Sequence, residues 1–288
     1  MSKQKTYDLT EGGILRKLLL VAVPIMGTSF MQMAYNLTDM FWLGQGVSSE
    51  AVAASGASGM YLWLSFGFIL IGRMGAEIAV AQSIGRGDKK TALAFSQNAI
   101  LIALAMGFLF GLAMVAGNRY LIGFFNFRED NVAAMGRDYL LITGIPMPLV
   151  FTASVATGSF NASGNSRTPF IINGIGLAAN VILDPVFIFI LQMGVKGAAI
   201  ATLIAEGISC SVMLAALFVT KHRPFERYSF RFRPDISKII KMLKLSLPIG
   251  VESLLFCFLT MICSRIEAGF GAHAVAVGKI GSQIESLT

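Results

Sequence analysis

Between its charged residues the chain runs apolar for lengths that no soluble fold requires. Residues 18–38, 51–72, 91–118 and 139–166 contain no charged side chain at all. Two further stretches carry one acid each, 168–195 with Asp184 and 197–220 with Glu206. A seventh extends from about Leu245 to Ile266 and holds Glu252, and an eighth begins near Ala272. An α-helix needs about 20 residues to cross a hydrocarbon core of about 30 Å, so each run predicts one membrane-spanning helix. The alternation of lipid-facing and lumen-facing positions that marks a membrane β-barrel is missing. In lipid only helices and closed barrels satisfy every backbone group. The first run is too long for the core of a signal peptide and has no small-residue cleavage pattern, so it counts as the first span. The predicted fold class is an all-α polytopic membrane protein.

Composition strengthens this reading. Of 288 residues 55% are hydrophobic and 14% charged, against about a quarter charged in soluble domains. Disorder, collagen and a disulfide scaffold are excluded. Cys210, Cys257 and Cys263 are odd in number and lie inside apolar runs. They have no metal or framework spacing and read as small buried hydrophobes. The net charge of +7 matters through its placement. With the N-terminus cytoplasmic, 16 Lys and Arg fall in inside segments and four in outside ones. Such an excess in cytoplasmic loops sets orientation, so the N-terminus is expected inside, and the basic residues call for no nucleic-acid partner.

The chain also echoes itself. KLLLVAVPIMG from Lys17 and KMLKLSLPIGV from Lys241 both carry a Pro-Ile pair, Pro24-Ile25 and Pro248-Ile249, an offset of 224 residues. AVAA at 51–54 returns as AVAV at 274–277. Six predicted helices separate the copies, so both enter the membrane in the same direction, as in transporters built from parallel repeats. This gives a six-helix lobe over 1–220, a basic cytoplasmic linker over 221–240, and the start of a second lobe over 241–288. Two full repeats would need about 448 residues by the same offset. The expectation is a chain that stops in its second lobe, lacks the other half of the transporter, and is doubtful as a transporter alone.

Acids inside a membrane cost about 2.5–3.5 kcal/mol each on insertion scales and call for a reason. Asp39 lies about 22 Å beyond Pro24 at 1.5 Å per residue, and Asp184 about 24 Å beyond Thr168. On this arithmetic the two carboxylates share a depth in the outer half. Asn180 precedes Asp184 by one turn, and Tyr35 and Asn36 precede Asp39 likewise. Thr202, about 9 Å below Lys196 on a descending helix, reaches the same level. Oxygen ligands of this kind suit a hard cation, and paired carboxylates equally share a proton. Pro185 removes an N–H and frees the Val181 carbonyl. Pro24 is expected to bend the first helix. Arg73 and Glu77, at i and i+4, read as a local ion pair. Glu206 and Glu252 stay open between a transport role and a structural one. No G-x-x-x-x-G-K-[ST], H-E-x-x-H or G-x-S-x-G pattern occurs, and an enzyme is not expected.

Several segments are similar to the MATE family of multidrug and toxic compound extrusion transporters. They are YNLTDMFWLGQ with AVAASG, IGRGDKK, NASGNSRTP, and NVILDPVFIF followed by GVKGAAIAT; KIGSQIESLT resembles the family's eighth helix. The resemblance covers Leu15 to Thr288. It implies twelve helices in two lobes, a V-shaped cavity, and exchange of cationic or amphiphilic drugs for Na⁺ or H⁺ across the cell membrane. It implies a cation site at Asp39, Asn180, Asp184 and Thr202. Tyr35, Asn36 and Asn161 then support that site or line a substrate pocket, and Pro24 serves as the bend of the first helix. No cofactor is implied beyond the coupling ion; the partners are the bilayer and small-molecule substrates. A helix 7 glutamate used by another branch is not assigned to Glu252. Competing readings are a lipid-linked saccharide or lipid flippase, which calls for a cationic cavity, and a membrane-embedded lipid-modifying enzyme, which calls for a nucleophile or metal cluster.

Overall fold

The computed structural model describes residues 14–46, 49–127, 129–219, 224–225, 228, 234–271, 273–275, 277–278 and 281. The described elements are α1 (Ile14–Gly46), α2 (Ser49–Gly85), α3 (Lys89–Gly123), α4 (Asp130–Gly144), α5 (Met147–Ala162), α6 (Arg167–Pro185), α7 (Gly194–Val219) and α8 (Ile236–Ala268). One π-helical turn, Val186–Ile190, follows α6. Most of the predicted eighth span, and the linker except residues 224–225, 228 and 234–240, lie outside the described residues.

α2, α3, α7, α8, and α6 together with its π turn are each long and apolar enough to cross a membrane. α1 has an apolar stretch over Leu18–Ala34 and continues unbroken through Pro24, whose carbonyl accepts the Thr28 hydroxyl at 3.0 Å. The sequence predicts one uninterrupted span over 139–166. The structure starts it at Asp130 and bends it by 54° between α4 and α5. Pro146 and Pro148 stand at the bend; each lacks an N–H and disfavours helix in the residue before it. α8 begins at Ile236, so its first turns occupy the end of the stretch expected to be linker.

Helices in lipid approach closely where side chains are small. α8 lies along α2: a Cβ on Gly75 would stand 2.4 Å from the Met242 carbonyl oxygen, and one on Gly250 would stand 2.1 Å from Ile71. α3 meets the α4–α5 bend in the same way, with Gly107 against the Met147 carbonyl and Gly111 against that of Gly144. Phe125, Leu140, Phe151, Phe160 and Leu217 fill the space enclosed by α2, α3, α4, α5 and α7 and are buried. Leu18, Met26 and Phe30 on α1 and Leu255, Phe256 and Phe258 on α8 are exposed, as suits a lipid-facing surface. Cys210 and Cys257 are buried as expected, but Cys263 is exposed. It borders a small pocket between α8 and α2, so an apolar run alone did not tell its side.

On the side predicted to be cytoplasmic, Gly87 and Gly164 adopt φ of +77° and +78°, a conformation open to glycine without strain. They close the α2–α3 and α5–α6 turns. The linker is fastened beneath the lobe: the Asn98 side-chain oxygen accepts the Asp235 N–H at 2.8 Å, and the Tyr228 hydroxyl lies 3.1 Å from Ser96 Oγ. Ser96 Oγ is itself 2.6 Å from Ser159 Oγ, so one hydroxyl joins α3, α5 and the linker.

Candidate functional site: a buried carboxylate and a lobe cavity

Asp184 is the last residue of α6 before Pro185, and it is fully buried. Asn180, also fully buried, donates from Nδ2 to Asp184 Oδ1 at 3.1 Å. The two face each other because they stand one helical turn apart. Pro185 has no N–H for the Val181 carbonyl, and the Val186 N–H bonds back only as far as the Leu183 carbonyl. From there the chain opens into the π turn, a departure from α geometry found often at functional sites.

α7 runs antiparallel to α6, and two contacts fix the register. The Ser209 hydroxyl donates to the Ile172 carbonyl at 3.4 Å, and Gly197 faces the Phe187 carbonyl. Counted between these contacts, Thr202 lies level with Asn180, and it is 4% exposed. All three are buried, with Asp184 one turn, about 6 Å, further along the axis than Asn180. α1 runs parallel to α6, with Gly27 against the Phe170 ring and Gly174 against Met31. The same one-for-one register sets the backbone of Asp39 level with Ile182, about 3 Å along the axis from Asp184. The side chains of Tyr35, Asn36 and Asp39 lie outside the described residues.

Asn161 belongs to a different group. It is buried near the cytoplasmic end of α5, and its side chain hydrogen-bonds Glu77 of α2. Glu77 Oε2 lies 3.6 Å from Arg73 Nε. The local pair thus extends to a second helix, with Gly158 of α5 passing close to both charged side chains. This tie was not read from the sequence, because an amide 84 positions away in the chain gives no spacing signal.

A cavity of about 120 Å³ opens among α1, α5, α6 and α7. Its polar lining includes Glu206, Gln32, Asn173 and Ser154, and Met31 and Met213 form part of its apolar wall. Glu206 lies four residues beyond Thr202, on the side of Thr202 away from the α6–α7 connection. Sequence alone singled out Glu206 by its charge, whereas Gln32 and Asn173 carry none and became visible only when the helices met.

Residues 24–186 match the family model described as MatE. The chain is 27% identical over 96% of its length to a probable multidrug resistance protein NorM of Thermotoga maritima, covering 59% of that protein. It is 25% identical to a probable multidrug resistance protein YpnP of Bacillus subtilis, with 94% and 60% covered. It is 26% identical to a FAD transporter of Shewanella oneidensis, with 98% and 62% covered. The chain thus spans about 60% of the length of these curated relatives. Among solved structures, a MOP-superfamily transporter from Pyrococcus furiosus superposes with a TM-score of 0.88 at 22% identity, covering all of this chain and 63% of the other. An outward-facing MATE transporter gives 0.87 at 21% identity, with 100% and 63% covered. These likenesses establish the fold.

Proposed function

The chain belongs to the MatE family, and from that premise we propose that it serves a secondary transporter that exports cationic or amphiphilic small molecules in exchange for Na⁺ or H⁺. The protein is a multi-pass membrane protein, and its family consists of transporters rather than enzymes. The observation that carries the proposal is the buried Asp184, held by Asn180 at the level of Thr202 and beside the π turn. A fully buried carboxylate inside lipid is costly unless a cation or proton neutralises it. Asp39, whose backbone shares that depth, completes the proposed ion site.

In this reading the ion neutralises Asp39 and Asp184 from the outside, helix α1 moves about Pro24, and the lobe closes on the space the drug occupied. Return of the ion to the inside is driven by about 2.3 kcal/mol per charge per 100 mV of membrane potential. Tyr35, Asn36 and Asn161 border the ion site or the drug path, and the N-terminus faces the cytoplasm of the cell membrane. The acids Asp184 and Glu206 within the lobe favour a cation over the anionic cargo of a saccharide flippase.

The test is dye movement from vesicles holding the protein, with a Na⁺ or a proton gradient imposed separately. One gradient drives dye transport, and Asp39→Asn and Asp184→Asn each abolish it. Unaltered transport in both variants, or transport indifferent to both gradients, overturns the proposal.

A further inference from the structure

Trp42 carries a polar atom that the lobe does not satisfy. It stands on α1 one turn beyond Asp39 and four residues before the helix ends at Gly46. The α1–α6 register that sets Asp39 level with Ile182 sets Trp42 level with Pro185, on the side of Asp184 away from the α5–α6 turn. Its ring meets the Phe189 ring of the π turn edge to face, with centroids 5.8 Å apart. It also packs on an apolar cluster that includes Val52 of α2, Ile188 of the π turn and Ala198 of α7. Four segments thus close around one indole, at the end of the lobe that the exporter reading places outside. The Trp42 Nε1–H is buried, and no group among the described residues accepts it.

Buried donors in folded proteins nearly always have a partner, and each exception calls for an explanation. A ring that only filled space at this position would need no N–H. With no protein acceptor at hand, the partner of this N–H is water, which reaches it when the Trp42–Phe189 contact parts. Closing the contact gains aromatic packing and strips the indole of that water; opening it does the reverse. The two effects oppose each other, so the contact can stand in either state. We infer that Trp42 and Phe189 form the outer lid of the ion site, and that dehydration of the Trp42 N–H keeps the closed lid weak enough to open again. The ion reaches Asp184 with the lid open and is shielded from outside water with it closed. α1 carries both Asp39 and Trp42, so ion binding and lid closure move one helix. This inference rests on the ion site proposed above and adds to it the residue that sets how tightly the ion is kept.

The chain has two tryptophans, Trp42 and Trp63, so the full chain carrying Trp63→Phe reports on Trp42 alone by its fluorescence. In detergent, Na⁺ is raised at fixed pH, or pH is lowered without Na⁺. The coupling ion is expected to shield Trp42 from quenching by iodide, and Asp184→Asn to remove that shielding. Ion affinity is read separately, as the ion concentration that gives half the maximal rise in thermal midpoint. Trp42→Phe keeps a ring and removes the donor, so closure no longer dehydrates an N–H, and the half-saturating concentration falls by about fivefold. Trp42→Ala removes the ring, and that concentration rises by about tenfold. A tryptophan that served packing alone would weaken ion binding in both variants. Three results overturn the inference: no shielding by either ion, shielding that survives Asp184→Asn, or Trp42→Phe and Trp42→Ala shifting half-saturation in the same direction. A chain that shows the shielding and the opposite shifts yet moves no dye under either gradient keeps the lid and loses the exporter reading. Gradient-driven dye transport that Asp184→Asn abolishes, without any shielding of Trp42, does the reverse.

Discussion

At the scale of single residues, the two best-defined carboxylates outside the membrane act as helix caps. Asp88 accepts the Thr91 N–H at 3.0 Å at the start of α3, and Asp235 accepts the Lys238 N–H at 3.2 Å at the start of α8. The side chain and then the backbone of Thr91 hold the Asp88 carboxyl below its ordinary range, and the Lys238 ammonium and N–H do so for Asp235. A carboxyl whose folded value is depressed stabilises the fold above its unfolded value, near pH 4, and loses that contribution as pH falls through the folded value. Asp235→Ala therefore lowers the thermal midpoint at pH 7, and the gap to the parent closes as pH falls through the depressed folded value; a gap independent of pH contradicts the cap. Tyr228→Phe, which removes the hydrogen bond to Ser96, is expected to cost about 0.5–1.5 kcal/mol in the same thermal assay. Asn180 and Asp184 were legible because an i, i+4 pair has a signature in one helix. Tyr228, Ser96 and Ser159 were not, because their meeting depends on three separate segments.

The order of the helices was legible from charge-free length, but their breaks and contacts were less so. Pro185 was recognised as freeing the Val181 carbonyl because proline has no N–H, whereas the bend at Pro146 passed as one continuous apolar run. The spacing of glycines on α2 gave no hint that Gly75 is in contact and Gly59 is not. A Cβ on Gly75 would meet the Met242 carbonyl at 2.4 Å, while one on Gly59 meets nothing within 4 Å. Backbone cannot yield as a flexible side chain does, so Gly75→Ala forces α2 and α8 apart at a cost of about 1–3 kcal/mol, the usual penalty of overpacking. Gly59→Ala stays within about 0.5 kcal/mol of the parent, as surface changes do. Thermal unfolding of the two variants in one detergent separates them. Equal midpoints would mean that α8 does not lie on α2 through Gly75.

For the whole molecule, charge predicts an orientation, while packing sets the shape. Arg86, Lys89 and Lys90 at the α2–α3 turn, Arg167 at the start of α6, and Lys238, Lys241 and Lys244 in the first turns of α8 lie at the same end of the bundle. Anionic lipid and the membrane potential favour that end on the cytoplasmic side. The α3–α4 connection and the Lys196–Asp138 ion pair, 3.0 Å long and joining α4 to α7, then mark the outer end. The repeat predicted a second lobe by analogy of sequence, but it gave no reason for α8 to run along α2, which the glycine contacts supply. Orientation has a direct readout in a background with all three cysteines replaced by alanine. Lys90 and Asn131 are both exposed, one at each end of the helix pair α3 and α4. Asn131→Cys is expected to react with a membrane-impermeant maleimide in intact cells, and Lys90→Cys only after the cells are opened. Labelling in the opposite order would place the N-terminus outside, and the ion site at Asp184 would then open toward the cytoplasm, reversing the direction of the proposed exchange.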